Sequence, residues 1–360
     1  MRKNRICFIA QFPPPMHGLS KAVETLYNSE LSNEFEFEKI DITDNKKFLK
    51  NLIKIRKSKA DLCYFTISQT PGGNLRDLAI FKAIGKRSCL VHLHGGYYRT
   101  MVEGLPEWQK KANYKAIRKV AGAIVLGPRL KWIFEGMLPE EKIYTVPNCV
   151  DDEYLISDKE FEEKIVTINQ RKVKHVLYLS NFIRSKGYPE VLEMAKLEKD
   201  RAENGGKKRF HFDFAGKFFE KSEEEFFWGF VKDNQLEEYI TYHGIVSGEK
   251  KKDLLKNSDV FCLLTTYPNE GQPISILEAM GNGMVVVTTD NAGIKDIVKD
   301  GINGIIINKD SLGDIAAIYN RIIDIGYVAE EVNGRKAIME KYRENCYISN
   351  MSDIFKRLSI

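Results

Sequence analysis

Short apolar runs alternate with longer amphipathic segments along almost the whole chain. Apolar runs of this length predict buried strands, and the segments between them, whose apolar residues recur at helical spacing, predict helices. Strands are predicted in the first half at residues 6–10, 35–42, 62–67, 88–93, 122–126 and 142–146, and in the second half at 175–179, 210–216, 239–246, 260–264 and 284–287. Regular strand–helix alternation predicts parallel sheets, so the expected fold class is α/β.

A polar stretch divides this alternation into two halves. Residues 152–172 are charged and weakly patterned, and we interpret them as an inter-domain connection. The sequence therefore predicts an N-terminal domain at 1–165 and a C-terminal domain at 170–344, with a helix at 345–360 packing back on the first domain. Each domain is expected to be Rossmann-like, and the two are expected to face each other across a cleft.

Composition places the chain among ordinary globular proteins. Its 360 residues are 43% hydrophobic and 29% charged, and a net charge of +5 is compatible with an anionic ligand or surface. The six cysteines form no CxxC pair, which argues against a metal site or a disulfide framework and favours a reducing cytoplasm. The first apolar run ends at Phe12, too early for a signal peptide, and no run approaches the length of a membrane span. A nucleic-acid partner is not expected.

The most informative stretch is Asn269–Gly281, which follows an apolar strand. A polar turn carries Glu270, and a short helix that opens near Pro273 carries Glu278. The amide groups at a helix start favour an anion, and two carboxylates beside it suit a hydroxyl-rich ligand such as a sugar nucleotide. The alternative is that both glutamates are surface charges.

A basic loop follows the first strand of the second half. Arg184 and Lys186 lie at the carboxyl end of this strand and near a helix start, where a pyrophosphate would be neutralised. A solvated basic loop is the alternative.

Two further candidate positions lie in the first half. Gly18 follows a proline-rich loop at a helix start, where a ligand can approach the backbone closely, although a plain turn explains one glycine equally well. His94 ends a predicted parallel strand before two glycines, as expected for a site in an open sheet. The alternative for His94 is a loop histidine satisfied by backbone. His92, between apolar neighbours, is predicted to lie in the core.

The segment Lys46–Lys59 contains seven Lys or Arg residues and no acidic residue. The predicted helix is basic on one face, and Leu49, Leu52, Ile53 and Arg56 fall at helical spacing on the other. This composition is typical of a helix on an anionic membrane surface. A crossover helix with a solvated basic face is the alternative.

Taken together, these motifs resemble a known family. The chain resembles, nearly end to end, the retaining family 4 glycosyltransferases, also called glycosyl transferases group 1, which have the GT-B fold. The most specific elements are Glu270-x7-Glu278, the following Ala279-Met280-Gly281, and the turn Gly301-Ile302-Asn303-Gly304. The segments at residues 13–18 and 72–77 resemble those of family members that build bacterial surface polysaccharides.

The resemblance implies roles for individual residues. It places the acceptor in the N-terminal domain and the nucleotide sugar in the C-terminal domain. Glu270 would hold the hydroxyls of the donor sugar, Glu278 the ribose, and His94 would lie near the reacting carbon. The implied catalytic residues are His94 and Glu270, and the implied donor-binding residues are Gly18, Asn181, Arg184, Lys186, Ile245, Val246, Gly271, Gln272, Pro273, Ile274 and Glu278.

The implied activity is transfer of a hexose or N-acetylhexosamine from a nucleotide sugar, preferably a UDP-sugar, with retention of configuration. The implied acceptor is a glycan, lipid-linked at the inner face of the cell membrane, and a soluble enzyme with a small acceptor is the alternative. Neither a cofactor nor a metal is expected, because no DxD motif occurs in a suitable loop.

Two departures from the family pattern keep another function open. Asn181 stands where the family has an arginine, and Arg184 is the candidate replacement. The loop after Glu270 reads Gly271-Gln272-Pro273, where the family often has Gly or Ser, Phe, Gly, so the sugar contacts transfer less directly. The alternative function is a non-catalytic sugar-nucleotide-binding subunit of a partner glycosyltransferase.

Overall fold

The alternation of strands and helices builds two parallel sheets in two compact units. The computed structural model describes residues 2–16 and 18–359. The first unit comprises the chain up to Cys149, the segment Pro268–Gln272 and the chain from Glu344 onward. The second comprises Val150–Tyr267 and Pro273–Arg343. The first boundary thus falls at Cys149, whereas the sequence predicts it between residues 165 and 170.

The first unit contains a six-stranded sheet with the strand order β2-β1-β3-β4-β5-β6. Its strands are β1 (Arg5–Ala10), β2 (Glu36–Asp41), β3 (Leu62–Thr66), β4 (Ser88–His92), β5 (Gly122–Val125) and β6 (Ile143–Thr145). Its helices are α1 (Gly18–Tyr27), α2 (Phe48–Lys57), α3 (Pro71–Ile84), α4 (Tyr98–Glu103), α5 (Glu107–Ile117) and, from the end of the chain, α14 (Glu344–Leu358). Helix α14 contributes Tyr347, Met351 and Phe355 to the core of this unit.

The second unit contains a six-stranded sheet with the strand order β12-β11-β10-β7-β8-β9. Its strands are β7 (Lys174–Leu179), β8 (Phe210–Ala215), β9 (Ile240–Gly244), β10 (Val260–Leu263), β11 (Val285–Thr289) and β12 (Ile305–Ile307). Its helices are α6 (Asp158–Ile168), α7 (Tyr188–Glu203), α8 (Lys221–Asp233), α9 (Gly248–Asn257), α10 (Ile274–Gly281), α11 (Ile294–Ile297), α12 (Ile315–Ile323) and α13 (Tyr327–Lys341).

Each sheet has a point where the strand order reverses. In the first sheet β1 pairs with β2 on one side and with β3 on the other. In the second sheet the reversal lies between β7 and β10, which pair directly. Ligands of open α/β sheets bind beyond the carboxyl ends of the strands at such a point, because the following loops diverge to opposite faces.

Helix α6 corrects the interpretation of residues 152–172 as a connection. Ser157 begins the helix with a capping box, in which its Oγ accepts from the Glu160 amide and Glu160 Oε2 accepts from the Ser157 amide. Lys164 then donates to the carbonyl oxygens of Ser258 and Asn282 at 2.6 and 2.8 Å. These bonds make α6 part of the second unit.

Helix α2 exposes apolar as well as basic side chains. Asn51 and Ile55 are its buried residues, whereas Leu49 and Ile53 are 74% and 55% exposed. An ordinary crossover helix would bury such residues, so this face is unusual for a helix that packs on a sheet. No helix within residues 2–16 and 18–359 has both the length and the apolar character needed to cross a membrane.

Candidate functional site

In the second unit, the loops that follow β7 and β10 are hydrogen-bonded to each other at the strand-order reversal. The Thr266 amide donates to the Ser185 carbonyl at 2.7 Å. Gly187 has a φ of +85°, and a Cβ there would lie 2.5 Å from the Leu264 carbonyl oxygen. Lys186 is held in this corner, with its Nζ 4.6 Å from the centroid of the Tyr267 ring. The structure therefore places Lys186 beside the chain that leads into α10.

Helix α10 follows β10 along the chain, and its amino end belongs to the second unit. The helix begins at Ile274, and the preceding Pro273 makes no side-chain cap. The Ile276 amide bonds the Pro273 carbonyl at 3.2 Å. A helix start of this kind presents amide groups and the positive end of the helix dipole, which together favour an anion.

Glu278 is paired with a lysine that the sequence analysis did not identify. Lys251 Nζ on α9 lies 2.6 Å from Glu278 Oε1, and the two side chains are 17% and 4% exposed. The Lys251 ammonium group also lies 4.2 Å from the centroid of the Tyr154 ring. Because 27 residues separate the pair along the chain, no local spacing in the sequence indicates it.

The other donor-site candidates of the second unit differ in exposure. Asn181 is exposed, and its carbonyl accepts from the Tyr178 hydroxyl at 2.9 Å. Arg184 Nε lies 3.4 Å from Glu223 Oε1. The Arg184 guanidinium also lies 4.2 Å from the centroid of the Phe226 ring. Arg184 is thus engaged with α8, and its role as a substitute for the arginine missing at 181 stays a prediction.

Ile245 and Val246 follow β9, the strand at one edge of the second sheet. Ile245 is 72% exposed, and Val246 is half-buried. An exposed isoleucine at a strand end is compatible with stacking of a base, and this role also stays a prediction.

The segment with Glu270, Gly271 and Gln272 belongs to the first unit, although the sequence analysis placed it in the second domain. Gln272 Oε1 accepts from the Asn148 amide at 2.7 Å, and the Gln272 carbonyl accepts from Asn148 Nδ2 at 2.8 Å. Gln272 Nε2 donates to the Leu126 carbonyl at 3.3 Å. Gln272 is 4% exposed, and these bonds fix the segment Pro268–Gln272 within the first unit.

The backbone of Gly271, the residue after Glu270, packs against the backbone of His94 within the first unit. A Cβ on Gly271 would lie 2.8 Å from the His94 carbonyl oxygen and 2.9 Å from Gly95 Cα. Only glycine permits this approach, so the backbone next to Glu270 rests on the backbone of His94. Glu270 is 7% exposed and His94 is half-buried.

The His94 ring lies on the ring of His92, with centroids 3.9 Å apart and planes inclined by 30°. His92 is fully buried, as expected from its apolar neighbours, and its Nδ1 lies 2.7 Å from the Tyr64 hydroxyl. Burial, and then the proximity of His94, lower the pKa of His92 well below its usual value. His92 is therefore a neutral support for His94.

Gly18 starts α1, the helix that follows β1, and is exposed. This position lies beyond the carboxyl end of β1, as the sequence predicts.

Within residues 2–16 and 18–359 there is no group of three or more His, Cys, Asp or Glu side chains placed to hold a metal ion.

Comparison with known proteins identifies what this arrangement is similar to. The sequence model of the family described as "Glycosyl transferases group 1" matches residues 158–339. Lipopolysaccharide 1,6-galactosyltransferase of Salmonella typhimurium is 26% identical over 161 residues, which are 44% of this chain and 43% of that protein. An uncharacterised 41.2 kDa protein in the cps region of Klebsiella pneumoniae is 20% identical over 318 residues, 86% of this chain and 82% of that protein.

A solved structure shows the same fold along nearly the entire chain. Anabaena HepE, crystallised in complex with UDP, superposes with a TM-score of 0.74 at 15% identity, covering 99% of this chain and 100% of HepE. The predicted α/β fold class, with two Rossmann-like parallel-sheet domains of the GT-B type, is confirmed.

Proposed function

Because the chain belongs to the glycosyl transferases group 1 family, we propose that it transfers a hexose or N-acetylhexosamine from a UDP-sugar to a glycan in cell-surface polysaccharide biosynthesis. The UDP bound in the crystals of HepE supports the choice of base. The name of the Salmonella relative, a lipopolysaccharide galactosyltransferase, supports a lipid-linked glycan as the acceptor. Retention of configuration and independence of metal ions are part of the proposal.

The observation that carries this proposal is that Lys186 and the helix α10 follow β7 and β10, the two strands at the strand-order reversal of the second sheet. The amino end of α10 and Lys186 would together neutralise the pyrophosphate, with Ile274 and Pro273 lining it. Stabilising charge on the departing nucleotide lowers the barrier to transfer, because that charge develops in the transition state. Glu278, oriented by Lys251, would accept hydrogen bonds from the ribose.

The two predicted catalytic residues would act on the donor sugar. Glu270 would accept hydrogen bonds from the sugar hydroxyls, and His94 would lie near the reacting carbon. The close packing of Gly271 on His94 fixes the backbones that carry these two side chains. Such positioning contributes to catalysis because the reactants need not be ordered during the reaction.

The test is UDP binding and UDP-sugar hydrolysis by the purified chain. UDP should raise the melting temperature of the wild-type protein. Glu278→Gln and Lys186→Met should each weaken UDP binding at least about tenfold, the loss expected for one charged contact. Lys221→Gln, an exposed charge change on α8, is the matched control and should bind UDP like the wild type. UDP binding that survives in both site variants would refute the assignment.

A non-catalytic sugar-nucleotide-binding subunit is the second candidate. The absence of an arginine at Asn181 favours it. The contacts of Arg184 with Glu223 and Phe226 favour it too, because they hold the candidate substitute guanidinium on α8. Tight UDP binding without turnover across a panel of donors and acceptors would support this candidate. Turnover that is lost in Glu270→Ala and His94→Ala would support the enzyme.

The acceptor side of the proposal includes a membrane surface. The exposed lysines of α2, together with the exposed Leu49 and Ile53, match an anionic lipid surface in charge and in apolar character. This would bring the protein to the inner face of the cell membrane, where a lipid-linked glycan is accessible. A protein with a small acceptor would not need such a surface.

A further inference from the structure

A cavity of about 740 Å³ lies in the first unit at the strand-order reversal between β1 and β3. Gln11 follows β1, Thr66 ends β3, and Asn269 immediately precedes Glu270, and all three line the cavity. The position is the one where an open parallel sheet binds a ligand. Because Asn269 adjoins Glu270, the cavity reaches the loop to which we assign the donor sugar.

The formal charge of the cavity wall is positive. Among the described residues that line it, Arg76 carries the only formal charge, and no carboxylate is present. Arg76 is held in place by Asp77, whose Oδ1 accepts from its Nε and Nη2 at 3.2 and 3.0 Å. Asp77 is 2% exposed, is not among the lining residues, and also accepts from the Ser68 amide at 2.6 Å. The cavity thus presents an oriented guanidinium.

The amino end of α3 forms part of the same wall. Thr70 caps this helix of 14 residues by accepting from the Gly73 amide at 3.1 Å, and Thr70, Gly72 and Gly73 line the cavity. The positive end of the helix dipole therefore acts on the cavity together with Arg76.

A buried hydroxyl supplies an independent indication of a ligand. Thr66 lines the cavity, is 3% exposed, and its Oγ1 has no hydrogen-bond partner among the described residues. A buried hydroxyl without a partner costs free energy, and a bound acceptor atom would offset that cost.

We propose that this cavity binds a phosphate group on the acceptor, through Arg76, the amino end of α3 and the Thr66 hydroxyl. The inference rests on the proposed function and adds to it that the acceptor glycan is carried on a phosphate ester. Phe48, the first residue of α2, and Asn45, three residues before it, line the same cavity. A lipid chain that leaves the cavity along these residues would meet the exposed basic helix.

The test measures binding of phosphate probes while saturating UDP occupies the donor site. The probes are glucose 1-phosphate and farnesyl phosphate, and their neutral counterparts are methyl α-glucoside and farnesol. At least one phosphate probe should bind the wild-type protein about tenfold or more tightly than its neutral counterpart. Preference for farnesyl phosphate identifies a lipid carrier as the source of the phosphate, and preference for glucose 1-phosphate identifies a phosphorylated sugar.

Three variants locate the phosphate. Arg76→Gln should weaken binding of the phosphate probe at least about tenfold, and Thr66→Val should weaken it several-fold. Lys82→Gln, which removes an exposed charge from the same helix outside this cavity, should leave binding unchanged. Thr66→Val keeps the shape of the side chain and deletes a hydroxyl without a partner, so it tests the site even if Arg76→Gln folds poorly.

The outcomes separate this inference from the proposed function. Phosphate probes that bind no better than neutral ones, or that bind Arg76→Gln and Thr66→Val like the wild type, overturn the inference while UDP binding still supports the donor site. If UDP fails to bind, the proposed function fails, and phosphate binding that depends on Arg76 would still establish the anion site.

Discussion

The Nζ atom of Lys251 lies 2.6 Å from Oε1 of Glu278, and this ion pair is largely buried in the second unit. Removing one partner of such a pair leaves an uncompensated buried charge. Lys251→Met is therefore expected to lower the free energy of unfolding by about 3 kcal/mol and to raise the Kd for UDP, measured by denaturant titration and calorimetry.

The double variant Lys251→Met/Glu278→Gln provides the control for this pair. Because it removes both charges, it should recover most of the lost stability without recovering UDP binding. A single variant with wild-type stability would contradict the role of Lys251 as the residue that positions Glu278.

Gly187 is expected to be intolerant of a side chain. Its φ is +85°, and a Cβ at this residue would lie 2.5 Å from the Leu264 carbonyl oxygen, so a side chain would combine strain with a backbone collision. Gly187→Ala should destabilise the protein by more than about 2 kcal/mol and weaken UDP binding, because the loops after β7 and β10 must separate.

Gly205→Ala is the matched control for this backbone collision. Gly205 has a similar φ of +94°, but a Cβ there meets no atom within 4 Å. Gly205→Ala should lower the free energy of unfolding by about 1 kcal/mol and leave UDP binding intact. Equal effects of the two substitutions would show that the collision is unimportant.

The contact of Gly271 with His94 predicts a catalytic defect. A Cβ at Gly271 would force the backbones of Glu270 and His94 apart, since it would lie 2.8 Å from the His94 carbonyl oxygen. If Glu270 and His94 are catalytic as proposed, displacing them by about 1 Å costs roughly a hundredfold in rate, so Gly271→Ala should lower UDP-sugar turnover by this order.

Gly229→Ala in α8 is the control for this turnover measurement. A Cβ at Gly229 meets open space, so the substitution should stabilise the helix by about 0.5–1 kcal/mol. Its turnover should equal that of the wild type, and the prediction fails if Gly271→Ala turns over equally fast.

The central strands were predictable because they are short apolar runs that the fold buries on both faces, whereas in the edge strand β2 only Ile40 is buried. Val176, Leu177 and Tyr178 of β7 are fully buried, as are Val285, Val286 and Val287 of β11. In a parallel sheet with helices on both faces, this burial produces an apolar run in the sequence itself.

Helix α6 was not predicted, although the sequence contains a signal for its start. Ser157 and Glu160 have the spacing of a capping box, which predicts a helix start, but the polar composition of the segment favoured a connection. The position of Glu270, Gly271 and Gln272 in the first unit could not be predicted, because it depends on bonds between Gln272 and Asn148, 124 residues apart.

The charge of α2 predicts binding to anionic vesicles. Lys50→Glu/Lys54→Glu should weaken binding to phosphatidylglycerol vesicles by at least about tenfold, since each basic residue near such a surface contributes about 1 kcal/mol. Lys115→Glu/Lys119→Glu makes the same charge change at exposed positions elsewhere in the first unit and is the control. Flotation at low salt measures both, and a wild-type protein that does not float with the vesicles contradicts the proposed membrane surface.

The buried His92 predicts a loss of stability in acid. Its pKa is lowered in the folded protein, so between that pKa and about 6.5 the unfolded chain binds a proton that the folded chain does not. Stability therefore falls as pH falls below about 6.5, and His92→Gln should make the free energy of unfolding less sensitive to pH between 7 and 5.

His175→Gln should change the pH dependence in the opposite sense. A hydrogen bond with Asp213 raises the pKa of His175, so this histidine adds stability at low pH that is lost as pH rises through its folded pKa. Without it, stability should fall more steeply on acidification. Denaturant titrations between pH 7 and 5 measure the free energy of unfolding of the wild type and both variants. If both variants show the same pH dependence as the wild type, the two assignments are refuted.

The chain enters the first unit in three separate segments, and this governs how the protein can be recombined with its relatives. A gene fragment that ends at Cys149 lacks Tyr347, Met351 and Phe355, which complete the core of that unit. A chimera that exchanges the first unit must therefore transplant Pro268–Gln272 and the carboxyl-terminal helix together with the first 149 residues, or the transplanted unit will lack part of its core.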